Sequence, residues 1–488
     1  MTEPCDLTAT DARLRIGRKQ LSPVELVESC IGRIEAVDGA INAVVARDFE
    51  RARAAAREAE AAVMRGDALG PLHGLPVGVK DTENTAGLRT TYGSPLFRDH
   101  VPEADDRAVA AIRDAGGIVL GKTNVPEWAA GANTRNVVYG ATGNPFNPAR
   151  SAAGSSGGSA AALACGMMAL ATGSDLGGSL RNPAAFCGVV GYRPSPGLVP
   201  NERRVLGWSG LSVLGPMART VDDTRLLLRV MAAEDRRDPL SGPLPDLSER
   251  QVDLAQMRAA FSPDLGFAPV ERGVAEVFRE HTGLFRGVFA TAEDTAPDCA
   301  GADEAFAVLR AVGFLADHLA RVRETPAMVG PNVRANVEEG LGYTAEDVAR
   351  ALAAQTVLHR RWHAFFDHWD VLITPAITIS PRPWTELFPR EIDGRPTRSY
   401  FHWLALAYAV TLAGCPAVAL PCGLDAAGMP FGVQIVGRQG GDAHVLGVAA
   451  ALEAGLAADP RTARPVPDLT RLRAAAPISA APEFLALG

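Results

Sequence analysis

Between Leu75 and about Gly215 the chain alternates short apolar runs (PVGV, GGIVLG, GVVG) with helical stretches at Ala108–Ala115 and Ser159–Ala171. Strands joined through helices must cross over to pair, which stacks the helices against the sheet and buries it. The expected fold class is therefore α/β, a central twisted mixed β-sheet covered by helices on both faces. The flanks are more helical. Ser22-Pro23-Val24-Glu25 is a helix start, with a serine cap, a proline in the first turn and an acid near the positive dipole end. Residues 51–65 predict a second helix whose alternating arginines and glutamates form a solvated face. Residues 236–247 read as a surface loop, 255–370 as mainly helical, and 381–398, with four prolines, as an irregular loop. Strands are expected at 371–375, 417–421 and 433–437, with a turn at 425–428.

Composition narrows the partners. The chain has 488 residues, a net charge of −8 and no lysine/arginine block, which argues against nucleic acid. Seven scattered cysteines form no CxxC pair and read as reduced, mostly buried thiols of a cytoplasmic protein, with Cys187 and Cys422 structural. The N-terminus lacks an apolar signal core, and no run of 18 apolar residues exists, so no membrane contact is expected. The partner expected is a small molecule, and the chain itself a monomer or homodimer.

The chemistry sits on glycine-rich turns. GVKD carries Lys80, AAGSSGG carries Ser155 and Ser156, and GSDLGGS carries Asp175, Leu176, Gly177, Gly178 and Ser179. A serine nucleophile needs a base and exposed N–H donors. Neighbouring glycines supply the donors, and a lysine kept neutral by burial supplies the base. A rival reading takes GSSGG as a nucleophile elbow with Ser156 attacking. That elbow needs a preceding strand and a later histidine, whereas NPFNPARSAAG reads as loop.

These residues resemble the amidase signature family, and the likeness runs from about residue 22 through GANTRNVVYGATGNPFNP, VVGYRPSPGLVP, LGPMARTVDD and DVLITPA to AVALPCGLDAAGMPFGVQIVGR. The resemblance implies that Lys80 is the base, Ser155 a serine following a cis peptide, and Ser179 the nucleophile. It implies an oxyanion turn of Leu176, Gly177, Gly178 and Ser179, an Asp175–Arg181 ion pair, and a supporting role for Ser156. It further implies cleavage of carbon–nitrogen bonds in carboxylic amides through an acyl-enzyme, with no cofactor and no metal. Carbamates (urethanes) and esters are alternatives, as is a glutaminase-type A subunit of a tRNA-dependent amidotransferase. NERRVLGWSGLSVL at 201–214 departs from the pattern of such glutaminases.

One domain over 1–488 is expected, with a signature core at about 70–220, a helical elaboration at about 240–370 lining the entrance, and C-terminal strands and helix at about 371–456 rejoining the core. Ala130 falls where many relatives carry a bulkier residue, so Trp128, Ala130 and Gly131 are expected to border a wide pocket for a bulky aryl substrate, with Arg203, Arg204 and Trp208 as a rim. His359 and His363 have the i,i+4 spacing of a zinc pair, but the glutamate of HExxH and a third ligand are missing. His73 is expected to orient a turn.

Overall fold

The computed structural model describes residues 3–485. Eleven strands form one sheet: β1 (Val44–Arg47), β2 (Pro76–Lys80), β3 (Ile118–Thr123), β4 (Leu170–Asp175), β5 (Val190–Arg193), β6 (Val213–Ala218), β7 (Arg258–Phe261), β8 (Thr291–Asp294), β9 (Val371–Pro375), β10 (Ala417–Leu424) and β11 (Pro430–Val436). Their spatial order is β1-β3-β2-β4-β6-β5-β10-β11-β9-β7-β8. The β3-β2-β4 and β9-β7-β8 groups are parallel, and the remaining pairs are antiparallel. The fold is thus mixed α/β, with the sheet flanked by helices. Strands β2–β6, β10 and β11 are almost wholly buried, which accounts for their unbroken apolar runs.

Local signals set the helix ends. Ser22 and Glu25 form a reciprocal capping box on the helix Pro23–Val37, and Asp48 and left-handed Gly66 bracket Phe49–Arg65. His73 Nε2 lies 2.9 Å from the carbonyl of Ala59 in that helix, and so ties the turn before β2 to it.

The expected helix Ser159–Ala171 is corrected. It spans Gly157–Ala164, Gly166 is left-handed, and Leu170–Asp175 is a strand. A short apolar run buried on all sides has no period that separates helix from strand. Strands β1 and β6 lie outside the strands expected from the sequence, and β7 and β8 interrupt the stretch 255–370 that reads as helical. The expected irregular loop at 381–398 contains a small hairpin, Glu391–Ile392 with Arg395–Pro396. All seven cysteines are buried and unpaired. Among the described residues no helix is long and apolar enough to cross a membrane.

Candidate active site

Three strand ends and one helix start converge on Lys80. β2 pairs in parallel with β3 and β4, so Lys80 leaves the sheet beside Thr123 on one side and near Ser174 on the other. The helix Gly157–Ala164 brings Ser155 and Ser156 to its N-terminal end. It packs closely because residue 158 is glycine: a Cβ there would lie 2.2 Å from the Asn124 backbone nitrogen. The Gly154–Ser155 peptide is cis.

The Lys80 side chain is fully buried. Its Nζ stands 2.7 Å from Ser155 Oγ, 2.9 Å from Ser156 Oγ and 2.8 Å from Ser174 Oγ. As an ammonium it would donate to all three hydroxyls. As a neutral amine it donates to two and accepts a proton from the third. Burial favours the neutral form, pulling its pKa from the ordinary 10.5 down to about 7, against the opposing pull of Glu83 and Asp175. Ser174 is absent from the residues picked out in the sequence. Alternation along β4 puts Thr172 and Ser174 on one face, but that period is invisible while the segment reads as helix.

Ser179 lies on the turn between β4 and the helix Arg181–Cys187. Asp175 organises the turn by accepting the N–H groups of Gly178 at 2.9 Å and Leu180 at 3.2 Å. Gly178 has φ +105°, and a Cβ there would meet the Asn182 amide at 2.5 Å. Because its N–H is committed to Asp175, Gly178 drops out of the expected oxyanion donors. The N–H groups of Leu176, Gly177 and Ser179 find no acceptor among the described residues. Asp175 is itself wholly buried and held bidentately by Arg181 at 2.9 and 3.0 Å. Arg193, which the sequence did not single out, adds a contact at 3.3 Å. Burial raises the pKa of the Asp175 carboxyl, and the two guanidiniums more than offset this, holding it well below the usual carboxylate range. Arg181 also bonds Gln434 of β11 at 3.0 Å, so a C-terminal strand fixes the turn.

Ser155, Ser174 and Ser179 open on one cavity of about 400 Å³. Its walls are largely apolar: Leu176, Leu211 and Leu214 from the sheet side, Phe306, Leu309 and Phe314 from the helix Ala302–Glu324, and Phe401 and Leu404 beyond. The segment 201–206 forms its rim. Arg203 pairs with Asp106 at 3.1 Å and lies over the Tyr92 ring, and the Arg204 side chain, also on the rim, is mostly buried against Asp238. Trp128, Ala130 and Gly131 also line the cavity. Ala130 is 4% exposed and packs with Val329 and Val333. Trp128 offers little free ring face, because Tyr92 stacks on it at 4.9 Å and the Arg321 guanidinium lies 4.7 Å from its centre. His318 closes this wall. Burial, helped by Arg321, lowers its pKa to about 4 and keeps it neutral at pH 7.

Trp208 is corrected. It is 82% exposed and lies outside the cavity lining, although Leu206 and Ser209 on either side of it line the cavity. His359 Nδ1 lies 2.9 Å from the Ala413 carbonyl, and the two histidine rings of that helix sit 4.2 Å apart. Among the described residues the one cluster with metal-ligand spacing is Glu3, Cys5 and Asp6, where Arg33 pairs with both carboxylates.

Comparison with known proteins matches residues 25–446 to the Amidase family model. The chain is similar to an acylamidase of Rhodococcus erythropolis, 35% identical over 92% of this chain and 95% of that protein. It is similar to the A subunit of the glutamyl-tRNA(Gln) amidotransferase of Moorella thermoacetica, 34% identical over 92% of this chain and 96% of that one. Its fold superposes on a bacterial aryl acylamidase of the amidase signature family with a TM-score of 0.85 and 26% identity, covering 98% of this chain and 99% of the other. The chain belongs to the amidase signature family and is an amide-hydrolysing enzyme.

Proposed function

We propose that the chain hydrolyses carboxylic amides through an acyl-enzyme on Ser179. The Ser179 Oγ attacks the carbonyl carbon as its proton passes by way of Ser155 to neutral Lys80. The N–H groups of Leu176, Gly177 and Ser179 receive the oxyanion, a donor of this kind contributing about 3–4 kcal/mol. Lys80 and Ser155 return the proton to the leaving amine, and water activated by the same relay then releases the acid. The observation that carries this reading is the buried Lys80 nitrogen, 2.7 Å from Ser155 in the cavity that Ser179 also lines, with a pKa near 7.

The preferred substrate is a bulky aryl amide. The long apolar walls and the small Ala130 support this, as does likeness to an acylamidase and an aryl acylamidase. Carbamates and esters present the same carbonyl geometry and are the alternative substrates. Similarity to amidotransferase A subunits supports a second reading, a glutaminase that works within a complex. The purified chain tests both. Turnover of anilides without partners supports the standalone amidase, and activity confined to glutamine with partners present supports the second reading. Ser179→Ala is expected to abolish turnover and labelling by a fluorophosphonate while the melting temperature stays unchanged. Loss of labelling in Ser156→Ala with retention in Ser179→Ala would instead assign attack to Ser156.

A further inference from the structure

Glu83 is a buried carboxylate on the cavity wall that the relay leaves unused. Its Oε1 accepts the Thr172 hydroxyl at 2.7 Å, and the Thr172 oxygen accepts the Lys80 backbone N–H at 3.0 Å. Its Oε2 is buried and has no partner among the described residues. Such an oxygen is costly, since a buried charge left unpaired opposes folding.

The charged groups around it have other partners. From β3, Lys122 Nζ donates to the Glu83 main-chain carbonyl and to Thr85 Oγ1, and reaches no carboxylate oxygen within ion-pairing distance. Next to Lys80, Asp81 accepts both the N–H and the hydroxyl of Thr91. From β4, Asp175 is neutralised by Arg181 and Arg193. Before the helix Arg107–Asp114, Asp106 faces Arg203. The helix Gly157–Ala164 carries no charged side chain, and Ser155 and Ser156 just before it offer hydroxyls to Lys80. Of the two acids that act on Lys80, Glu83 alone carries no cation on its carboxylate.

We propose that Glu83 is a positioning residue that sets the proton affinity of Lys80 and offsets the ammonium formed when Ser179 is deprotonated. The inference rests on the Ser179–Ser155–Lys80 relay above. In that step the Ser179 Oγ–carbon bond forms, the Ser179 proton moves to Ser155, and the Ser155 proton moves to Lys80. Glu83 neither gains nor loses a proton, and no electrons are exchanged with another group. Burial lowers Lys80 to about 7, and the Glu83 carboxylate opposes that lowering.

The sign follows directly. An ionised Glu83 favours protonated Lys80, so removing it leaves burial unopposed and lowers the lysine's affinity for a proton. The test is the pH dependence of the rate at which a fluorophosphonate labels Ser179. In Glu83→Gln the acid limb is expected to move to lower pH by about one unit, tenfold in proton affinity, with a lower alkaline plateau. Glu83→Met, similar in volume and also uncharged, serves if glutamine impairs folding. A purely structural role would depress labelling at every pH and leave the limb in place. An unmoved limb, or one moved to higher pH, in a variant with a cooperative melt overturns the inference. Absence of Ser179 labelling in the wild type would instead overturn the relay itself, so the two failures are distinguishable.

Discussion

Lys80 differs from a surface lysine in what surrounds its nitrogen: three hydroxyls, no carboxylate at ion-pairing distance and no exposed surface. Desolvation disfavours the ammonium, and the hydroxyls serve either protonation state. Below about pH 7 the lysine holds a proton and cannot take another. Above it the lone pair is free. The kcat/KM of the wild type is therefore expected to rise through about pH 7 and level off on the alkaline side. Lys80→Ala is expected to lose several orders of magnitude across this range. Steady-state rates between mildly acidic and alkaline pH check both. A rate that falls as pH rises through 7, or a histidine variant as damaging as Lys80→Ala, would contradict the assignment.

Two kinds of glycine separate packing from propensity at the level of the element. Gly158 lies at the start of the helix Gly157–Ala164, where a Cβ would sit 2.2 Å from a backbone nitrogen that cannot rotate away. Gly32 lies inside the helix Pro23–Val37 with nothing within 4 Å of its Cβ direction. Gly158→Ala must push the helix off β3 and draw Ser155 and Ser156 from Lys80. Overpacking of this kind costs about 1–3 kcal/mol. Its kcat is expected to fall more than its KM changes, because the proposed relay loosens while the cavity wall remains. Gly32→Ala is expected to stabilise by about 0.5–1 kcal/mol with activity unchanged, since alanine loses less backbone freedom on folding. Denaturant melts and initial rates on the pair test this. A stable, fully active Gly158→Ala would show that the helix start tolerates the shift.

The cavity is a property of the whole molecule. Its base comes from β4 and the turn after it, one wall from the helix Ala302–Glu324, another from residues 400–404, and its rim from 201–206. Ala130 joins the cluster of Val329 and Val333 on that wall. About three added heavy atoms there would either enter the cavity or overpack the cluster. Ala130→Met is expected to lower kcat/KM about 5- to 150-fold for anilides or aryl carbamates, and far less for acetamide-like amides. Equal losses on both classes would mean that Ala130 only packs the wall. Local chemistry was readable from the chain. The Ser22 cap with Glu25 and the serine-bearing glycine turns depend on residues a few positions apart, whereas the Asp175–Arg181 pair came from the family resemblance. The sequence pattern also indicated a sheet with crossover helices. It could not give the strand order, because pairing between distant segments is decided by the joint packing of all of them. That order sets β4 between β2 and β6, which delivers Ser174 to Lys80, and it brings Arg193 onto Asp175 and Gln434 onto Arg181. It also leaves Glu83 buried with a bare oxygen and turns Trp208 out to solvent. The sequence by itself determined which residues could do the chemistry. Tertiary structure alone decided which are dry, which are paired and which face one another, because burial and charge pairing act through space between residues as far apart as 80 and 174.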